Sequence, residues 1–174
     1  MVHHPLVKRS RTACWLSFQF IGILALVILY GCSSKEPYVP PDLFYLFSTY
    51  KVGKNPTSVT TADLNQDGFT DLITTNIGND SLSVLFGNGD GSFQEQKQMS
   101  ARKEPRALAL DDYNGDGLVD LAVACAGNDR VRLFFGLANG SFVTGQQYRV
   151  NRTPVAIATG DVNGDQKPDL VVAL

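Results

Sequence analysis

The chain has 174 residues, 44% of them apolar and 18% charged, with a formal net charge of −2, which is the profile of a folded protein and not of a disordered tail. Its 15 basic residues face 17 acidic ones, and Lys8, Arg9 and Arg11 lie in the first segment, so the remainder is mildly acidic. Such a balance gives no electrostatic case for nucleic acid as a partner, because phosphate neutralisation needs clustered Lys and Arg.

Residues 1–12 are basic, and Ala13 to Tyr30 is apolar apart from Ser17 and Gln19, the layout of an export signal. Leu29-Tyr30-Gly31-Cys32 resembles the bacterial lipoprotein box, although Tyr30 stands where that pattern prefers a small residue. The resemblance implies that residues 1–31 are removed and that Cys32 becomes the lipidated first residue. The same run has the length of an uncleaved membrane helix, and soluble secretion is a third reading. All three put the rest of the chain outside the cytoplasm. Residues 32–42, beginning Cys32-Ser-Ser-Lys-Glu-Pro, have the polar composition of a tether.

Beyond the tether the chain repeats itself. Asp63, Asp112 and Asp161 are equally spaced, and so are Pro56, Pro105 and Pro154. Asn79-Asp80, Phe86-Gly87 and Gly91-Ser92-Phe93 return as Asn128-Asp129, Phe135-Gly136 and Gly140-Ser141-Phe142 at the same interval of about 49 residues, a length typical of one unit in a repeat architecture. Within each unit, short apolar or alternating runs between Gly, Asn and Asp read as four antiparallel strands. For the second unit these are expected at about 105–111, 120–125, 130–135 and 141–148.

The predicted fold class is therefore all-β, with four-stranded antiparallel blades of a β-propeller. In chain order we expect a last strand of a preceding blade at 43–50, a blade at 56–99, a blade at 105–148 and a partial blade at 154–174. About two and a half blades would not close a ring, so the sequence reads as a piece of a longer propeller.

The turn between the first two strands of each unit is acidic. It reads Asp63, Asn65, Asp67 and Asp71 in the first unit, Asp112, Asn114, Asp116 and Asp120 in the second, and Asp161, Asn163, Asp165 and Asp169 in the third. Alternate short oxygen side chains on a tight turn suit a hard cation that takes six to eight oxygens, and the expected ligand is Ca2+. Backbone carbonyls at Phe69, Leu118 and Lys167 are the expected additional donors. Gly68 and Gly117 permit the sharp bend that Gln166 must adopt without that freedom. An EF-hand is excluded, because Thr74, Val123 and Val172 stand where its closing Glu belongs and strands follow the loops. Zinc or copper would want softer donors, and the only histidines, His3 and His4, are in the leader.

These loops, with Phe86-Gly87, Phe135-Gly136 and the Gly-Ser-Phe that follows each, resemble FG-GAP/VCBS-type repeats of integrin α-like propellers over about Leu43 to Leu174. The resemblance implies that metal braces the first hairpin of each blade and that the propeller serves extracellular recognition of a protein or glycan. No catalytic residue is expected, since the exported part has no histidine for a hydrolytic triad. The alternatives are the non-catalytic repeats of a larger extracellular enzyme, or a passive envelope repeat. Cys125 reads as a small buried hydrophobe. The basic stretch Arg102, Lys103 and Arg106, interrupted by Glu104 and Pro105, reads as a solvated loop.

Overall fold

In the computed structural model, residues 26–30 and 46–174 are described, which leaves Cys14, Cys32 and the tether outside the described residues. Two four-stranded antiparallel sheets follow one another. The first comprises β3 (Pro56–Ala62), β4 (Asp71–Asn76), β5 (Ser81–Leu85) and β6 (Lys97–Ser100), and the second β7 (Pro105–Asp111), β8 (Asp120–Cys125), β9 (Arg130–Gly136) and β10 (Phe142–Arg149). A third sheet pairs β11 (Ala156–Gly160) with β12 (Asp169–Ala173). Strand order equals chain order throughout, as in propeller blades, and the positions in the second unit agree with the sequence expectation to within a residue or two.

Two strands precede the first blade. β1 (Leu26–Tyr30) runs parallel to β2 (Leu46–Lys51). The apolar run expected to form a signal or a membrane helix is thus extended over its last five residues. Val27, Ile28 and Tyr30 favour strands, and the edge of β2 offers backbone partners. Among the described residues, no helix is long and apolar enough to cross a membrane.

The blades bury each other. β4 and β8 are buried at every position, because each lies between two strands of its own sheet and two neighbouring faces. Ile73, Leu82, Val84 and Phe86 of the first blade meet Leu108, Leu121, Val123, Cys125 and Phe134 of the second in one cluster. Ala122, Val131 and Leu133 on the opposite face of the second blade meet Ile157, Leu170 and Val172 of the third. Burying a side chain of this size contributes about 1.5–3 kcal/mol, so it is the contact between blades that makes each sheet stable. Phe142 packs against the first cluster, Phe135 against the second, and Phe93 with Tyr50 against Val52, Leu72 and Leu85. The recurrent aromatics are blade packing.

The first blade also buries polar groups. Asn76 donates to Ser81 Oγ at 3.1 Å and Ser83 Oγ at 2.9 Å and accepts from Thr74 at 3.1 Å, and Ser83 also accepts from the Gly53 amide at 3.1 Å. Gly53 has no room for a side chain, since a Cβ would lie 2.6 Å from the Asn76 amide. One register later the place of Asn76 is taken by Cys125, which is 1% exposed. Burial pushes that thiol up to about 11.

Candidate metal loops

The three acidic loops connect β3 to β4, β7 to β8 and β11 to β12, so all lie at one end of the blades. Their backbones coil in the same way. The first aspartate accepts amides from across the turn: Asp63 from Asp67 at 3.1 Å and Gly68 at 2.9 Å, Asp112 from Gly115, Asp116 and Gly117, and Asp161 from Gly164, Asp165 and Gln166. The second aspartate caps the residue two further on, so that Phe69, Leu118 and Lys167 donate their amides to Asp67, Asp116 and Asp165. The asparagine between them accepts the same Asp67, Asp116 or Asp165 amide.

Two positions in each loop are left-handed. The sixth is Gly68 (φ 83°), Gly117 (φ 81°) or Gln166 (φ 65°), and the fourth is Gln66 (φ 58°), Gly115 (φ 77°) or Gly164 (φ 81°). A Cβ at any of these four glycines meets nothing within 4 Å. They serve the backbone conformation alone, and Gln66 and Gln166 hold it against their side-chain preference.

The ninth position differs from the rest. Asp71 and Asp120 are fully buried. One oxygen of Asp71 accepts the Leu64 amide at 2.9 Å and the other the Gly87 amide at 2.8 Å. Asp120 does the same with Tyr113 at 3.0 Å and Gly136 at 2.8 Å. The aspartate thus ties the loop to the end of the third strand. Gly87 and Gly136 are required by space, since a Cβ at either would come within 2.2 Å of the carbonyl of Thr70 or Val119. In the third loop Asp169 accepts the Val162 amide at 3.0 Å.

Burial pushes the Asp71 carboxyl above its ordinary value of 3.8, the Gly87 and Leu64 amides pull it back, and the charges of Asp67 and Asp63 push it up again. Asp120 is raised by the same forces, with Asp116 and Asp112 as the like charges. Asp112 is lowered: burial opposes the shift, and the amides of Gly117, Gly115, Asp116 and Asn114 overcome it. Asp161 is lowered chiefly by the Gln166 amide. The loops adjoin, with Gln66 Nε2 donating to the Gly117 carbonyl at 3.1 Å.

Among the described residues, no group of three or more His, Cys, Asp or Glu side chains stands together so as to hold a metal ion. The carboxylates are turned instead onto the amides of their own loops, leaving further lone pairs on each oxygen.

Two overlapping stretches, residues 63–123 and 112–172, match the FG-GAP-like repeat family, and together they span more than half of the chain. The chain belongs to the FG-GAP-like repeat family. No curated protein matches it. Each FG-GAP-like match begins on the first aspartate of a loop and runs through the Asp–Gly tie into the next loop. In the sequence the Phe-Gly pairs are legible only as markers of the repeat. That their glycine amides hold Asp71 and Asp120, and that the fourth loop position is left-handed, emerges only from the structure. The equal spacing from Asp71 to Gly87 and from Asp120 to Gly136 was the available signal.

Proposed function

We propose that this FG-GAP-like chain is a calcium-stabilised, extracytoplasmic recognition scaffold without catalytic activity. The observation that carries the reading is the loop chemistry: three carboxylates and one amide oxygen per loop, at the same register in three units, with Asp71 and Asp120 raised first by burial and further by the like charges of their own loops. A cation would relieve that repulsion. Asp63, Asn65, Asp67 and Asp71, with the Phe69 carbonyl, would hold it in the first loop, and the matching residues in the other two. An all-oxygen donor set suits calcium. Bound there, calcium supplies charge neutralisation and a brace between the first two strands of a blade, not chemistry on a substrate.

Holding at a membrane surface, through a lipid on Cys32 or through the apolar N-terminal run, goes with the scaffold role. Mass spectrometry of the mature N-terminus tests it: a lipidated Cys32 is the expected result, and an intact 1–31 segment excludes the lipid. For the scaffold role itself, capture of a protein or glycan partner in calcium is the expected outcome, and loss of a captured protein partner in chelator would tie its recognition to the loops. Capture that ignores calcium would separate recognition from the loops.

A further inference from the structure

The end of the blades opposite the acidic loops carries a row of cations in register. Lys54, Lys103 and Arg152 each stand two residues before the proline that opens a blade, one cation per unit. All three are exposed. The backbone places them on one rim. The Gly78 amide bonds the Lys54 carbonyl at 2.9 Å and the Gly127 amide that of Lys103 at 3.4 Å, Ala101 bonds Asp80 at 2.9 Å, and Val150 bonds Asp129 at 2.9 Å. These bonds join the turns after β4 and β8 to the segments that lead into each blade.

The side-chain stems of Lys54 and Lys103 are seated alike. A Cβ on Gly78 would lie 2.8 Å from Lys54 Cγ, and one on Gly127 would lie 3.0 Å from Lys103 Cβ, so the glycine turns leave room for these stems. Arg102, Arg106 and Arg149 are exposed beside them, and Arg102 holds a left-handed φ of 69°. The acids at this end are Asp80, Asp129 and the exposed Glu104 beside Lys103, and the first two are engaged. Asp80 accepts the Glu104 amide at 2.8 Å and Asp129 the Thr153 hydroxyl at 3.5 Å. A chain of net charge −2 thus separates its charge between two ends, and the stretch read above as a solvated loop is one part of a longer row.

We propose that this rim binds a linear anionic polysaccharide. Cations repeated once per blade, at one register on one rim, match a polymer whose charges repeat along its length better than they match a flat bilayer. Exposed Asn55 and Asn151 beside the row offer hydrogen bonds to sugar hydroxyls. The inference rests on the recognition reading, which it sharpens to a class of ligand, but it does not depend on the calcium loops at the other end.

The test uses the full chain in non-ionic detergent, with dextran sulfate as probe, neutral dextran as control and vesicles containing anionic phospholipid as a third arm, each in calcium and in chelator. Dextran sulfate should bind at low salt in both, weaken steeply as salt screens the row, and outcompete the vesicles, while dextran should not bind. The variant K54S/K103S/R152S, with its melting temperature checked, should bind dextran sulfate at least about tenfold more weakly, and K54R/K103R/R152K should restore binding. If the triple serine variant does not fold, each single variant should lose part of the affinity. Unchanged affinity in the variants, equal binding of dextran, or binding to vesicles alone would overturn the proposal. Loss of binding in chelator alone would instead tie the ligand to the acidic loops and also overturn it.

Discussion

The Asp71 carboxylate and the Gly87 amide, 2.8 Å apart and sixteen residues separated in sequence, form a tie that Asp120 and Gly136 reproduce at the same distance in the next blade. Each tie fixes the start of a second strand to the end of a third, and with it the acidic loop that precedes the aspartate.

Replacing Gly87 or Gly136 by alanine should therefore be far costlier than replacing a loop glycine. The new Cβ would meet a carbonyl oxygen at 2.2 Å and force the amide off its aspartate, for a loss of about 3 kcal/mol. Gly117→Ala meets nothing and costs only the left-handed backbone, about 1–2 kcal/mol. Urea unfolding of the variants checks this, and equal midpoints would refute the spatial role of the Phe-Gly glycines.

Acid should act in opposite directions with and without calcium. Asp71 and Asp120 have folded pKa values raised above 3.8, so the folded state binds their protons more tightly than the unfolded chain does. Their ionised forms therefore destabilise the fold at neutral pH, and that cost fades as pH falls through the raised values. Asp112 and Asp161 are lowered and withdraw their stabilisation only below 3.8. In chelator, melting should hold or rise from about pH 7 to about pH 5. In calcium it should fall, because protons compete for the ligands. Melting curves at both pH values decide, and a fall in chelator would show that other groups dominate.

The Cys125 thiol should be silent in the folded protein. Burial pushes it up to about 11, leaving about one thiolate in a thousand at pH 8, and it donates to the Ala101 carbonyl at 3.4 Å. A thiol-reactive chromophore should label this position only on unfolding. Labelling of Cys125 within seconds under native conditions, located by peptide mapping, would mean that the packing between the first two blades opens readily.

Much of this architecture is legible in the sequence, for a physical reason. The blades repeat at a fixed interval, and β7 to β10 announce themselves by apolar runs set between turn residues. β4 is harder to read, because Thr74, Thr75 and Asn76 look like solvent-facing positions yet are fully buried, with Asn76 satisfied by Ser81 and Ser83 from the next strand, Thr74 by Asn76 and Thr75 by Thr57. The left-handed Gln66 could not be read, since glutamine has no preference that marks it. The extended Leu26–Tyr30 was hidden for another reason: an apolar run of that length fits a helix or a signal equally well, and only the open edge of β2 selects the strand. In the acidic loops the residues were legible but their hydrogen bonds were not, because the Asp–Gly tie joins groups that are distant in sequence.

Calcium titration calorimetry, paired with melting in calcium and in chelator, tests the central claim most directly. The account predicts heat of binding and an upward shift in melting, with each filled site adding about 2.7 kcal/mol when calcium stands at a hundredfold excess over its dissociation constant. Asp63→Ala and Asp112→Ala should each remove one site. No heat and no shift in melting would contradict it, and would leave the three loops as self-capped turns held by their own amides.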